Sequence, residues 1–242
     1  MWLRELKRFS RSKSRIIGSL MQPLLFLVAF GYGFGSVFSA AGQGSYIQFL
    51  APGIIGMSII FTSIFTGMQV IWDRQFGFLK ETLVAPVPRI AIMFGRTLGG
   101  ATVAALQGCI VLLMTLAVGF HPVSWALVVP AIFIMLFIGT LFAALGMMVA
   151  SLMRDMQGFQ LVMNFLVMPL FFLSGALFPL TSVPTVLKWV AAADPLSYGI
   201  DALRVLLINN VTYGLPLDLA VLTAFTLVFL GLGSYFFSKI QI

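Results

Sequence analysis

Residues able to make or break covalent bonds are few and scattered in this chain. It has one cysteine, Cys109, and one histidine, His121, so no disulfide framework, thiolate metal site or histidine metal cluster can be assembled. It contains no G-x-x-x-x-G-K-[ST] loop to cradle nucleotide phosphates, no H-E-x-x-H, and no paired carboxylates within a hydrophobic run. What recurs at helical spacing is uncharged polarity. Ser58, Thr62, Thr66 and Gln69 fall at i, i+4, i+8 and i+11, one stripe within about 80° on a 3.6-residue helix. Gln157, Gln160 and Asn164 line one face of a later apolar run, and Met168 and Phe171 continue it. Single Ser and Thr residues often bond back to their own helix or glue neighbouring helices. Four in register favour the lining of a pathway, and an amide as deep as Asn164 needs a protein partner or water. Such groups bind and pass a solute.

The elements that position these stripes follow from composition. Of 242 residues, 60% are hydrophobic and 9% charged, with a mean hydropathy of +1.08, where a soluble domain carries about 25% charge. Most of the chain must therefore be solvated by lipid, which excludes a water-soluble enzyme, a disordered chain and a free nucleic-acid-binding domain. A bilayer crossing needs about 20 mostly apolar residues. Six runs qualify, at 16–38, 46–71, 91–119, 123–151, 157–178 and 216–238. The first is too long for the apolar core of a cleaved signal peptide. With no internal repeat and no sizeable hydrophilic insert, residues 1–242 read as a single transmembrane domain of all-α class.

Charge sets the orientation. With both termini cytoplasmic, that side carries 12 of the 14 Lys and Arg residues, leaving only Lys188 and Arg204 outside, a strong positive-inside bias. Asp73, Glu81 and Asp155 fall on the cytoplasmic face, and Asp194, Asp201 and Asp218 outside. A proton- or sodium-coupled carrier usually shows an ionisable group at mid-membrane. None is evident here, so uphill movement of a solute would draw its energy from elsewhere.

Two cytoplasmic segments are amphipathic. Trp2, Leu3, Leu6 and Phe9 share one face of a helix over 1–15, with Arg4, Arg8, Arg11 and Arg15 on the opposite face, the pattern of a helix lying along the headgroups. The basic stripe either anchors the chain or also docks a partner protein. Over 72–85, Trp72, Phe76, Leu79 and Leu83 form a helical stripe expected to face the rest of the chain, and Pro86 and Pro88 end the helix. The other face presents Arg74, Phe78 and Glu81, a phenylalanine flanked by charges that suits the groove of another protein.

The stretch Phe78-Leu79-Lys80-Glu81-Thr82-Leu83-Val84-Ala85-Pro86-Val87-Pro88 resembles the first cytoplasmic loop of the permease subunits of ABC-2-type exporters. Leu173-Ser174-Gly175-Ala176-Leu177-Phe178-Pro179, followed by Ala193-Asp194-Pro195-Leu196-Ser197-Tyr198, is similar to that family's pattern between its last two spans. The family includes daunorubicin-resistance and Nod-factor or polysaccharide export permeases, and the resemblance covers essentially the whole chain. It implies a type V exporter fold in the cell membrane, with two permease copies and a separately encoded ATP-binding cassette subunit that binds ATP and magnesium. It makes 72–85 the coupling helix, 1–15 the interfacial helix, and 180–213 an outer segment of short re-entrant helices roofing the pathway. It also places the second and fifth spans at the dimer centre.

Within that outer segment, Ser182 and Asp194 read as helix caps, with Pro195 in a first-turn position. Lys188, Trp189 and Tyr198 suit the headgroup level, and Asp201 and Arg204 are spaced to pair. Gly100, Ala104 and Gly108 read as a close-packing strip, and spans four and six as scaffold. The expected function is that of a permease without catalysis or cofactor of its own, exporting a hydrophobic or amphiphilic substrate. A polysaccharide or lipid-linked glycan is the alternative substrate. A membrane-embedded transferase or protease is the rival of another class, and a self-powered carrier a third.

Overall fold

A computed structural model describes residues 1–40, 44–78, 88–180 and 183–239, without the side chains at 14 and 15. Among the described residues the secondary structure is helical, with no strand. The helices are α1 (Trp2–Arg11), α2 (Lys13–Gly33), α3 (Gly35–Ala40), α4 (Tyr46–Ile64), α5 (Met68–Gln75), α6 (Arg89–Ala117), α7 (Val128–Leu152), α8 (Met156–Leu173), α9 (Thr185–Ala193), α10 (Pro195–Ile208) and α11 (Leu215–Ser238). Six segments among the described residues are long and apolar enough to cross a membrane: Ile16–Gly33, Tyr46–Gln75, Arg89–Ala117, Trp125–Leu152, Met156–Leu173 and Leu215–Ser238. The first and fifth end sooner than their hydropathy suggests. Phe34 and Ser174 cap α2 and α8, and the apolar residues beyond them belong to α3 and to the loop before α9.

The core lies where α4, α6 and α7 cross, with α10 and α11 packed on α7. Small residues permit the crossings. An added Cβ on Gly67 would lie 2.3 Å from the Gly146 carbonyl oxygen, and one on Gly146 would lie 2.4 Å from that of Ile64. Spans two and four therefore meet backbone to backbone. Gly100 and Gly108 sit against Thr66 and Ile59, and Ala104 is buried with them. Span four, expected to be mere scaffold, supplies the tightest of these approaches.

The second span is broken beside this contact. Thr66, Gly67, Gln69 and Val70 donate their backbone N–H groups three residues back, to Ser63, Ile64, Thr66 and Gly67, at 3.0–3.2 Å. This short stretch of tighter 3₁₀-type winding separates α4 from α5 without ending the span.

The first amphipathic helix is shorter than the charge stripe suggests. Ser12 (φ −97°, ψ 65°) separates α1 from α2, so position 15 lies in the backbone of the first-span helix. The buried residues of α1 are Glu5 and Phe9, while Trp2 and Leu3 are exposed. Tertiary contact decides this: α1 lies on α6, where Gly99 leaves room for Glu5, and Trp2 Nε1 donates to Thr102 Oγ1 at 3.0 Å.

The expected helix over 72–85 also divides. Trp72 to Gln75 complete α5, and Gly77 turns the chain with φ +79°, a left-handed value that glycine takes without steric cost. Trp72 and Phe76 are exposed and not packed inward; Val70, Ile71 and Asp73 are buried in their place. Leu79 to Val84, including Glu81, lie outside the described residues, as does Ser182.

Candidate functional site

A cavity of about 470 Å³ opens between α1, the first span and the second span. Ser58, Thr62, Thr66 and Gln69 all line it, joined by Arg8 from α1 and by Ser19 and Gln22 from α2. Phe9, Pro23, Met57, Phe61, Phe65, Met68 and Trp72 make the apolar remainder. The four residues still share the cavity wall across the break. Ser58 Oγ donates to the Ile55 carbonyl at 2.9 Å, and Thr66 Oγ1 to that of Ser63 at 2.6 Å. These hydroxyls are thus satisfied within their own helix while their surfaces form the wall. Pro23 cannot donate to the Ser19 carbonyl four residues back, which leaves that acceptor outside the helical ladder on the same side.

Arg8 closes the polar end, donating to Gln69 Oε1 at 3.0 Å. This links α1 to the second span. Nearby, Arg96 donates to Asp73 Oδ2 at 2.5 Å, with both side chains almost wholly buried, and Arg4 approaches Asp73 Oδ1 at 3.8 Å. Arg4, Lys7, Arg8 and Arg11 also line a second hollow of about 570 Å³ on α1. One end of the bundle therefore gathers α1, the end of span two, the start of span three and the α7–α8 turn, where Gln75 donates to the Arg154 carbonyl at 3.2 Å. Arg74 and Phe78 lie at this end, Phe78 half-exposed on the surface.

The fifth-span face divides. Gln157, Gln160, Asn164 and Met168 are exposed on α8, beside Phe165 at 84% exposure. Phe171 departs from the expected pathway. It is fully buried, edge-on to Phe26 of the first span at 6.1 Å. None of these five residues lines the 470 Å³ cavity.

At the opposite end, Asp194 caps α10 by accepting from the Leu196 N–H at 2.8 Å. Burial pushes its carboxyl up to about 8, against the smaller effect of that hydrogen bond. Asp201 and Arg204 are not an ion pair. The Asp201 carboxylate accepts from the Thr212, Tyr213 and Gly214 N–H groups at 2.7–3.3 Å. Arg204 donates to the Gly175 and Ala176 carbonyls at 2.8 and 3.2 Å and lies 3.9 Å over the Phe49 ring. Burial draws Arg204 down to about 10, partly offset by Asp201, so it stays charged near neutrality. Both residues point to backbone, one tying the start of span six and the other the loop after span five. Trp189 is exposed, whereas Tyr198 is buried, stacked on Tyr213 at 4.7 Å and bonded through its hydroxyl to the Ala192 carbonyl.

The sequence pattern of the ABC-2 type transporter family matches residues 1–208. The chain belongs to that family. It is 30% identical over 197 residues to nodulation protein J of Rhizobium leguminosarum bv. trifolii, covering 81% of this chain and 74% of the relative. It is 31% identical over 205 residues to the putative transport permease ycf38 of Cyanophora paradoxa, covering 82% and 70%. Nodulation protein J of Sinorhizobium fredii aligns over 96% of this chain and 90% of its own length, at 25% identity. This is a multi-pass membrane protein of the ABC-2 type transporter family, a transport subunit rather than an enzyme. Sequence reasoning missed the Asp73–Arg96 pair, whose members are more than 15 residues apart in the chain, and the buried Asp218.

Proposed function

We propose that this ABC-2 family chain is the permease subunit of an ATP-driven exporter, in which two copies form the pathway and a separate ATP-binding subunit supplies the energy. The observation that carries this reading is the cavity: one wall of the second span presents Ser58, Thr62, Thr66 and Gln69 to a space that is otherwise aromatic and aliphatic. Such a surface binds and releases a solute without reacting with it. The sequence contains no phosphate loop, which supports the reading that the other subunit binds ATP and magnesium. The mixed lining suits a hydrophobic or amphiphilic substrate better than a glycan, which would need more polar and aromatic surface. The amides exposed on an otherwise apolar α8 support a second copy covering that face. The basic end of the bundle would face the cytoplasm, with both termini, so that Arg74, Phe78 and Glu81 meet the ATPase.

The test uses cysteines at positions 62 and 164 in a chain whose Cys109 is replaced. A small water-soluble thiol reagent should modify both in at least one nucleotide state of the reconstituted complex. Failure at both positions in every state would reject an aqueous pathway, and failure of an ATPase to copurify would reject the assembly.

A further inference from the structure

Among the residues lining the cavity of about 470 Å³, Arg8 alone carries a charge. Arg8 also lines the hollow of about 570 Å³ on α1, beside Arg4, Lys7 and Arg11, and no other residue belongs to both spaces. A basic surface and a largely apolar chamber therefore meet at one guanidinium.

The chain itself supplies no anion for that charge. Among the described residues, Lys7, Arg8 and Arg11 have no carboxylate within ion-pairing distance. The helices around the cavity, α1, α2, α4 and α5, contain two acidic residues, Glu5 and Asp73, and both are engaged elsewhere. Glu5 packs against Gly99 of α6, and Asp73 takes Arg96 and, at longer range, Arg4. Arg8 is held by a neutral group, the amide oxygen of Gln69 at 3.0 Å, and Gln69 is itself buried. That bond uses one of five guanidinium N–H donors, and the fork that is left matches two oxygens of a phosphate or carboxylate.

We infer that the cavity takes an amphiphile with an anionic head, the head on Arg8 and the apolar chain among Met57, Phe61, Phe65 and Met68. The inference rests on the cavity being the solute pathway, and it makes Arg8 the residue that selects for charge. The volume falls within the roughly 300–1,000 Å³ of sites for drug-sized ligands. The Ser58 and Thr66 hydroxyls already donate within their own helix, so the wall beside the chain demands no hydrogen-bond acceptor from it. Methionine adapts to a flexible chain without fixing its length. A cationic amphiphile would meet Arg8 as a like charge, and a neutral one would forgo the charge-assisted bonds.

The experiment is photolabelling of the full chain in phosphatidylcholine nanodiscs with dodecanol carrying a diazirine on its chain. Crosslinks are mapped by mass spectrometry and should fall at cavity residues within 57–72. Dodecyl phosphate, with concentrations counted in the bilayer, should displace the probe at about tenfold lower concentration than unlabelled dodecanol. Dodecyltrimethylammonium should be the weakest of the three. Arg8→Gln should bring phosphate and alcohol within about twofold, and Arg8→Lys should keep most of the preference. Two sources share this chemistry, a bilayer lipid and a single-chain solute. Labelling that weakens when phosphatidylglycerol is added to the nanodiscs identifies the lipid, and undiminished labelling the solute. Equal displacement by phosphate and alcohol in wild type overturns the inference while leaving the pathway in place. A preference that survives in Arg8→Gln removes Arg8 from it. No labelling within 57–72 overturns the inference together with the pathway.

Discussion

Asp73 and Arg96 meet at 2.5 Å inside the bundle, a buried ion pair joining the end of the second span to the third. The pair fixes which face of residues 70–76 turns inward, and so leaves Trp72 and Phe76 at the surface. Arg4 adds a longer contact, at 3.8 Å, from a side chain about half exposed.

Removing one member of that pair strands the other. Arg96→Ala should destabilise the protein by about 3–5 kcal/mol, because buried Asp73 is left with only the longer contact to a half-exposed Arg4. Arg4→Ala should cost under about 1 kcal/mol, since an exposed partner is screened by solvent. Thermal unfolding in detergent compares them, and equal losses would show that the burial of Arg96 does not matter.

The glycine contact between spans two and four has no slack. Gly67→Ala and Gly146→Ala each place a Cβ within 2.4 Å of a backbone oxygen, and should cost about 1–3 kcal/mol or more. Gly231→Ala, with open space around it, should be neutral or slightly stabilising. The same melting assay applies, with retained wild-type stability at both 67 and 146 as the contrary result.

Asp194 should make stability depend on pH. Its folded-state pKa, about 8, lies above the ordinary value of 3.8. The folded protein thus holds a proton that the unfolded chain has lost, and stability falls as pH rises from about 4 to about 8. Asp194→Asn keeps a capping acceptor without the titration, so its melting temperature relative to wild type should climb across that window. A constant difference would contradict the assignment.

Phe78 should matter to partner binding more than to folding. Its ring is half-exposed at the basic end, so Phe78→Ala should leave melting nearly unchanged. If it fills a groove of the ATPase, truncation should weaken copurification about tenfold, the scale of a residue worth over about 1 kcal/mol at an interface. Undiminished copurification and transport would remove Phe78 from the contact.

The sequence by itself determined the properties that repeat along the chain. Apolar runs of membrane length located six spans, within a few residues except where Phe34 and Ser174 end helices early. Four polar residues at helical spacing marked one wall of the cavity, because residues on one helix face must share whatever that face meets. The caps at Asp194 and Pro195 were legible for the same local reason. Tertiary structure decided the rest. Amphipathic spacing alone did not reveal that Glu5, not Trp2, turns inward on α1, because Gly99 of a distant span makes the room. Asp201 and Arg204 look like partners at three-residue spacing, yet each is drawn to backbone groups elsewhere in the chain. Phe171 shares a face with Asn164 but is buried against Phe26 of the first span. In each case a side chain is held by groups far away in sequence, and periodicity along one helix carries no information about which distant groups those are.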